Sequence, residues 1–145
     1  MAMRLRPYAG QRIALTLLLI ASVGVIASSI SAAQGESIPV QRWWLLLVLA
    51  PVLEEFAFRG FLQPWMQDWL IPRAWSKYAA PLAVVGTSLL FALCHLWSQP
   101  PVWAAMTFFP SLALGWLRVR GCSLMHCAAV HALFNLIYLA AAPLA

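Results

Sequence analysis

Long stretches without a formal charge recur along this chain of 145 residues. Residues 13–33 carry no charge over 21 positions. The apolar segments that follow span residues 43–61, 78–97, 101–117 and 122–142. A helix needs roughly 17–25 apolar residues to cross the hydrocarbon core of a bilayer. Because backbone polar groups in lipid must be satisfied within the segment, each of these segments is predicted to be a helix.

The composition also indicates a membrane location. Charged residues make up 9% of the chain, whereas an average soluble domain has about 25%. The nine basic residues are scattered and form no patch interleaved with aromatic residues, so no nucleic-acid partner is expected. The sequence predicts an all-α integral membrane bundle with about five transmembrane helices, in a single domain over residues 1–145.

The connection over residues 62–77 differs from the short connections elsewhere. It places Trp65, Trp69 and Leu70 among polar residues, which is typical of a helix lying on the membrane surface. The tryptophans of the chain lie near the ends of the apolar segments, as an aromatic belt requires. One interfacial helix is therefore expected in addition to the membrane spans.

Basic residues in the short connections predict the orientation. With a cytoplasmic N-terminus, the basic residues on the cytoplasmic side are Arg4, Arg6, Arg12, Arg73, Lys77, Arg118 and Arg120. The positive-inside rule favours this arrangement. The first segment has an alternative interpretation as a signal peptide, because small residues follow its apolar run at positions 31–33. That run exceeds the usual 7–15 residues of a signal peptide.

Ionisable side chains inside a bilayer cost about 2.5–3.5 kcal/mol each. The apolar segments contain Glu54, Glu55, Arg59, His95, His126 and His131. They form either structural pairs between helices or a polar pocket at membrane depth. Glu55 and Arg59 are four residues apart and are expected to pair, which leaves Glu54 available as a general base. Pro51, one turn earlier, is expected to kink the helix and to free a carbonyl.

Two other pairs share the four-residue spacing. Phe91 precedes His95 in the third segment, and His131 precedes Asn135 in the fifth. Because His131 and Asn135 lie on one helix face, they can direct two hydrogen-bond donors at one atom, as an oxyanion site requires. His126 lies about 140° round the helix from His131 and is expected to face elsewhere.

The three motifs follow one another on successive segments. Together they resemble the CAAX-protease and bacteriocin-processing (CPBP, or Abi) family of glutamic intramembrane proteases. The likeness includes Ala50-Pro51 before the two glutamates and Arg59-Gly60 after them, and it extends over residues 44–138. The resemblance implies a helical membrane protease that needs no metal or other cofactor.

The resemblance also implies a role for each matched residue. Glu54 is expected to activate a water molecule that His95 helps to hold and polarise. His131 and Asn135 are expected to stabilise the oxyanion. The residues expected to support these four are Glu55, Arg59 and Phe91.

The implied substrate is a membrane-anchored protein, cut near its C-terminal anchor in a bacterial inner membrane. The small size of the chain and the Phe-Pro-Ser-Leu stretch at residues 109–112 resemble a subset of this family. That subset is paired with proteins bearing C-terminal sorting tails, such as the JDVT-CTERM type. His95 lies only two residues before Trp97, near the outer surface, so the pocket is expected to open outward. Such a pocket suits a tail that is cut after export.

Other functions are consistent with the same residues. A zinc protease with Glu54, His95 and His131 as ligands leaves an open fourth position, although the chain has no H-E-x-x-H motif. A transporter or scaffold with a polar pocket needs no catalysis. A cysteine enzyme is disfavoured because Cys94 and His95 are adjacent, so their side chains diverge on a helix.

Overall fold

The computed structural model describes residues 40–70 and 73–141. The first apolar segment and its alternative interpretation as a signal peptide lie outside the described residues. Every regular element in the described part of the chain is helical, which confirms the predicted all-α class.

The first helix, α1, runs without a break over residues 43–70, after a 3-10 turn at Val40–Arg42. It alternates between α- and π-type hydrogen bonding. Its π-helical parts are Leu45–Leu49, Phe56–Leu62 and Met66–Leu70, and its α-helical parts include Ala50–Glu55 and Gln63–Trp65. Turns of π type are rare and often lie at functional sites. Here they flank the segment that ends with the two glutamates.

The sequence-based boundary at residue 62 is wrong. Instead of starting a separate interfacial helix, residues 63–70 continue α1. Gln63 is buried, and its Nε2 donates to the carbonyl of Gly115 over 3.2 Å. The polar residues here suggested a surface segment, but at least one of them is buried by contact with another helix. A 3-10 turn at Arg73–Tyr78 then leads into the next helix.

Four further helices follow in the described residues. They are α2 (Ala79–His95), α3 (Pro101–Met106), α4 (Phe108–Val119) and α5 (Leu124–Ala141). Two apolar stretches, Trp75–His95 and Pro101–Val119, are long enough to cross a membrane. This finding agrees with an integral membrane protein, while the number of five spans stays a prediction.

Helix α4 packs against α2 and α5, and α1 packs against the same two helices. Gly115 allows a close approach of α4 to its neighbours, because an added Cβ there would lie 3.0 Å from Val84 and 3.2 Å from the Gln63 side chain. Gly121, with a φ of 84°, then ends the turn after α4. A buried apolar cluster joins α4 to α5, formed by Leu114, Leu117, Cys122, Cys127, Val130 and Phe134.

Candidate active site

Glu55 and Arg59 form the ion pair that their spacing predicts. Arg59 Nη1 donates to Glu55 Oε1 over 3.0 Å, and both side chains are buried. Arg59 Nη2 also donates to the carbonyl oxygen of Ser111 over 2.8 Å and to its Oγ over 2.7 Å. A buried charge is tolerated when it is paired and hydrogen-bonded. The pair therefore joins α1 to α4 as well as neutralising one glutamate.

The contacts between α1 and α4 repeat one turn further along. Arg59 and Gln63 are four residues apart on α1, and their partners Ser111 and Gly115 are four apart on α4. We call Glu55, Arg59 and Gln63 the buried polar row. Three of its atoms, Glu55 Oε2, Arg59 Nε and Gln63 Oε1, have no hydrogen-bond partner among the residues that the structure describes. The sequence analysis missed Gln63 and Ser111, although the spacing of Gln63 from Arg59 was a usable signal.

His131 of α5 lies between the two glutamates. Its Nδ1 is 3.0 Å from Glu55 Oε1, and its Nε2 is 3.7 Å from Glu54 Oε2. Because an ionised carboxylate only accepts, Nδ1–H donates in the first contact. The second distance exceeds that of a hydrogen bond. The Glu54 side chain is 32% exposed and that of Glu55 only 1%, so the neighbouring glutamates have different surroundings.

Asn135 of α5 makes a hydrogen bond to α1, in addition to its place beside His131. Its Nδ2 donates to the carbonyl oxygen of Leu46 over 2.7 Å. In the π-helical part Leu45–Leu49, the N–H five residues after Leu46 would belong to Pro51, which has none. The carbonyl that Pro51 was expected to free is therefore bound by a side chain from α5. The second hydrogen on Nδ2 is not used in this contact.

Phe91 separates the two candidate histidines. His95 Nδ1 lies 2.8 Å from the carbonyl oxygen of Phe91, so Nδ1–H donates and Nε2 is left as an acceptor. The Phe91 ring centre lies 4.4 Å from that of His95 and 5.8 Å from that of His131. Within the described residues, no hydrogen bond or ion pair joins His95 to Glu54. These two residues, which were expected to bind the same water molecule, therefore make no direct polar contact with each other.

A cavity of about 150 Å³ brings His95, His131 and Asn135 together. Its apolar lining includes Phe91, Trp103, Met106, Phe109, Leu114 and Phe134. The exposed Gln99, in the connection between α2 and α3, borders it as well. Glu54 does not line this cavity, and its described contact with a cavity residue is the one to His131.

His126 lies apart from the cavity. It is exposed and does not line the cavity, as its helical position predicts. Within the ranges that the structure describes, no three His, Cys, Asp or Glu side chains lie close enough to hold a metal ion. The zinc ligand set of Glu54, His95 and His131 is therefore not assembled there.

The chain was compared with known proteins. Residues 36–137 match the sequence model of a family described as Type II CAAX prenyl endopeptidase Rce1-like. The match includes all three motifs and covers well over half of the chain. Searches of curated proteins and of solved structures return no significant match.

Proposed function

Since the chain belongs to the Rce1-like family, it is a CAAX-type intramembrane endopeptidase, and we propose that Glu54 activates the water that cuts the peptide bond. The observation that carries the proposal is the 3.7 Å distance between Glu54 Oε2 and His131 Nε2. At this separation one water oxygen can lie about 2.8 Å from both atoms at the same time, which is hydrogen-bond distance. Two acceptors directed at one water are suited to removing its proton.

Glu54 is better placed than Glu55 for this task. Glu55 is buried, and its Oε1 accepts hydrogen bonds from both Arg59 and His131. These contacts hold its charge in place. Glu54 is partly exposed, and the polar side chain that the structure places near it is that of His131. Its carboxylate is thus accessible to water and free to take up and return a proton.

Glu55 supports the reaction by orienting His131. Because Nδ1–H is donated to Glu55, Nε2 is the ring nitrogen that faces Glu54, and the proposed mechanism uses the ring with a lone pair on Nε2. We therefore assign His131 a part in orienting the water, whereas the family resemblance implied an oxyanion donor. The unused hydrogen of Asn135 Nδ2 is the neutral donor that we assign to the oxyanion.

The proposed steps follow from these positions. Water transfers a proton to Glu54 while its oxygen attacks the carbonyl carbon of the scissile bond. Asn135 stabilises the negative charge that develops on the carbonyl oxygen. When the C–N bond breaks, Glu54 returns the proton to the leaving nitrogen, which restores the carboxylate. His95 borders the same cavity, and its Nε2 can accept a hydrogen bond from a peptide N–H.

The proposed substrate is a membrane-anchored protein cut near its C-terminal anchor or sorting tail. Its support is the position of the site among apolar helices long enough to cross a membrane. The test is reconstitution of the full chain in vesicles with tailed membrane proteins from the same source, followed by mass analysis of both fragments. We expect one cut near the tail that persists with a chelator. Loss of cleavage that zinc reverses would favour the zinc protease instead.

The proposed location is a bacterial inner membrane with the N-terminus in the cytoplasm. Reporter fusions after Lys77 and at Gln99 test this orientation, because Lys77 lies near the start of the apolar stretch Trp75–His95 and Gln99 follows its end. We expect the first fusion to report the cytoplasm and the second the outside. The reverse result would overturn the orientation and an outward-opening cavity together.

A further inference from the structure

The cavity beside His95 and His131 has a volume of about 150 Å³. An apolar cavity of this order accommodates a benzene-sized group. The side chains of leucine and phenylalanine are in this size range, whereas a prenyl chain is several times longer. The cavity is therefore too small to enclose a whole prenyl chain, the group named in the description of the matched family.

Part of the cavity lining is apolar. Leu114 and Phe134, which border it, are 1% and 5% exposed, and both belong to the buried cluster between α4 and α5. Trp103, Met106 and Phe109 provide further apolar surface from α3 and the start of α4. Burial of a substrate side chain against these residues removes apolar surface from water, which favours binding.

Three of the polar residues that line the cavity already make hydrogen bonds within the protein. Thr107 Oγ1 donates to the carbonyl of Ala104 over 2.7 Å. Ser111 Oγ accepts from Arg59, and Asn135 Nδ2 has given one hydrogen to Leu46. No Asp, Glu, Lys or Arg is among the residues that the structure places around this cavity. A charged side chain would therefore lose its hydration without gaining a partner of opposite charge.

We propose that this cavity receives one leucine- or phenylalanine-sized side chain of the peptide substrate, next to the bond that is cut. The proposal rests on the proposed function, because His95 and His131 border the same cavity and place the reacting bond at its edge. It deepens that function by naming the selected group, which is an unmodified apolar side chain and not a prenylated cysteine.

The test uses membrane-anchored peptides with an alanine-serine sequence and a single variable residue, reconstituted with the full chain. The variable residue is Leu, Phe, Ala, Asp or farnesylated Cys. We expect a cut beside Leu or Phe, at a kcat/KM roughly 10-fold or more above that of the other peptides. Equal cleavage of the Asp peptide, or preferred cleavage of the farnesylated one, would overturn the subsite.

A variant that fills the cavity gives a second, independent result. Met106→Trp is expected to lower kcat/KM for the Phe peptide by roughly 10-fold or more while leaving the Ala peptide nearly unchanged. The matched control is Leu112→Trp, since Leu112 is also half-buried but does not line the cavity. A uniform loss for all peptides in Met106→Trp, at unchanged thermal stability, would contradict the proposal.

Binding separates failure of the subsite from failure of the proposed function. If the wild-type chain cuts none of these peptides, the proposed function is rejected, and their dissociation constants are then measured by isothermal titration. Tighter binding of the Leu and Phe peptides that Met106→Trp removes would still support the subsite. Equal binding of all five peptides would reject it.

Discussion

The two neighbouring glutamates lead to two regions of the molecule that use similar polar groups differently. In the buried polar row, Glu55 and Arg59 contact each other, and Arg59 and Gln63 reach α4. On the other side, Glu54 is partly exposed and lies 3.7 Å from His131. One region consists of short contacts between buried groups, and the other leaves a carboxylate and a ring nitrogen without a hydrogen bond to each other.

This difference suggests how a small membrane protein separates structural from chemical tasks. Buried charges must be compensated by their neighbours, which ties them to the folded state. A general base must instead reach water and exchange a proton. His131 belongs to both regions, since one ring nitrogen binds Glu55 while the other faces Glu54. The buried row can thus set the geometry of the more accessible groups.

The largest effect on stability is expected from Arg59→Met. This substitution leaves the buried carboxylate of Glu55 without its cation and removes both contacts to Ser111. We expect a loss of roughly 3–5 kcal/mol in the free energy of unfolding. The measurement is a melting curve in detergent, with the exposed Arg42→Met as the matched control. Equal stability of the two variants would show that the buried row does not hold the fold.

Asn135→Ala tests the boundary between the two regions. We expect turnover to fall by roughly 100- to 1000-fold, the usual effect of removing one oxyanion donor. Stability is expected to fall by only about 1 kcal/mol, for the lost hydrogen bond to Leu46. Single-turnover rates per folded molecule, beside melting curves, separate these effects. A lowered melting temperature with normal turnover would restrict Asn135 to joining α5 to α1.

A smaller effect is expected from Ser111→Ala. The variant removes the Oγ that accepts from Arg59 over 2.7 Å but keeps the backbone carbonyl contact. A hydrogen bond to a charged group contributes roughly 1.5–3 kcal/mol, and the loss should not exceed this range. Chemical unfolding beside the exposed Ser98→Ala variant measures it. If Ser111→Ala instead abolishes cleavage at full stability, Ser111 belongs to the chemistry of the cavity.

The sequence was sufficient to predict local features but not contacts between helices. Apolar length predicted the helices, and the four-residue spacing predicted the pairing of Glu55 with Arg59, because both are properties of one segment. The contact of Asn135 with Leu46 could not be predicted, since it depends on π-type hydrogen bonding around Pro51. The burial of Gln63 was missed for a similar reason. Its partner lies 52 residues away on α4.

The most direct test of the account compares Glu54→Gln with Glu55→Gln by melting curve and cleavage assay on the same preparations. Glu54→Gln keeps the shape of the side chain and removes the base. Its free energy of unfolding should stay within about 0.5 kcal/mol of that of the wild type. Its cleavage should be roughly 100- to 10,000-fold slower.

Glu55→Gln leaves Arg59 buried without its carboxylate and should lose roughly 3–5 kcal/mol of stability. An unstable Glu54→Gln beside a stable but inactive Glu55→Gln would mean that the two roles are exchanged. Cleavage by Glu54→Gln at a rate near that of the wild type would contradict the central claim that Glu54 activates the water.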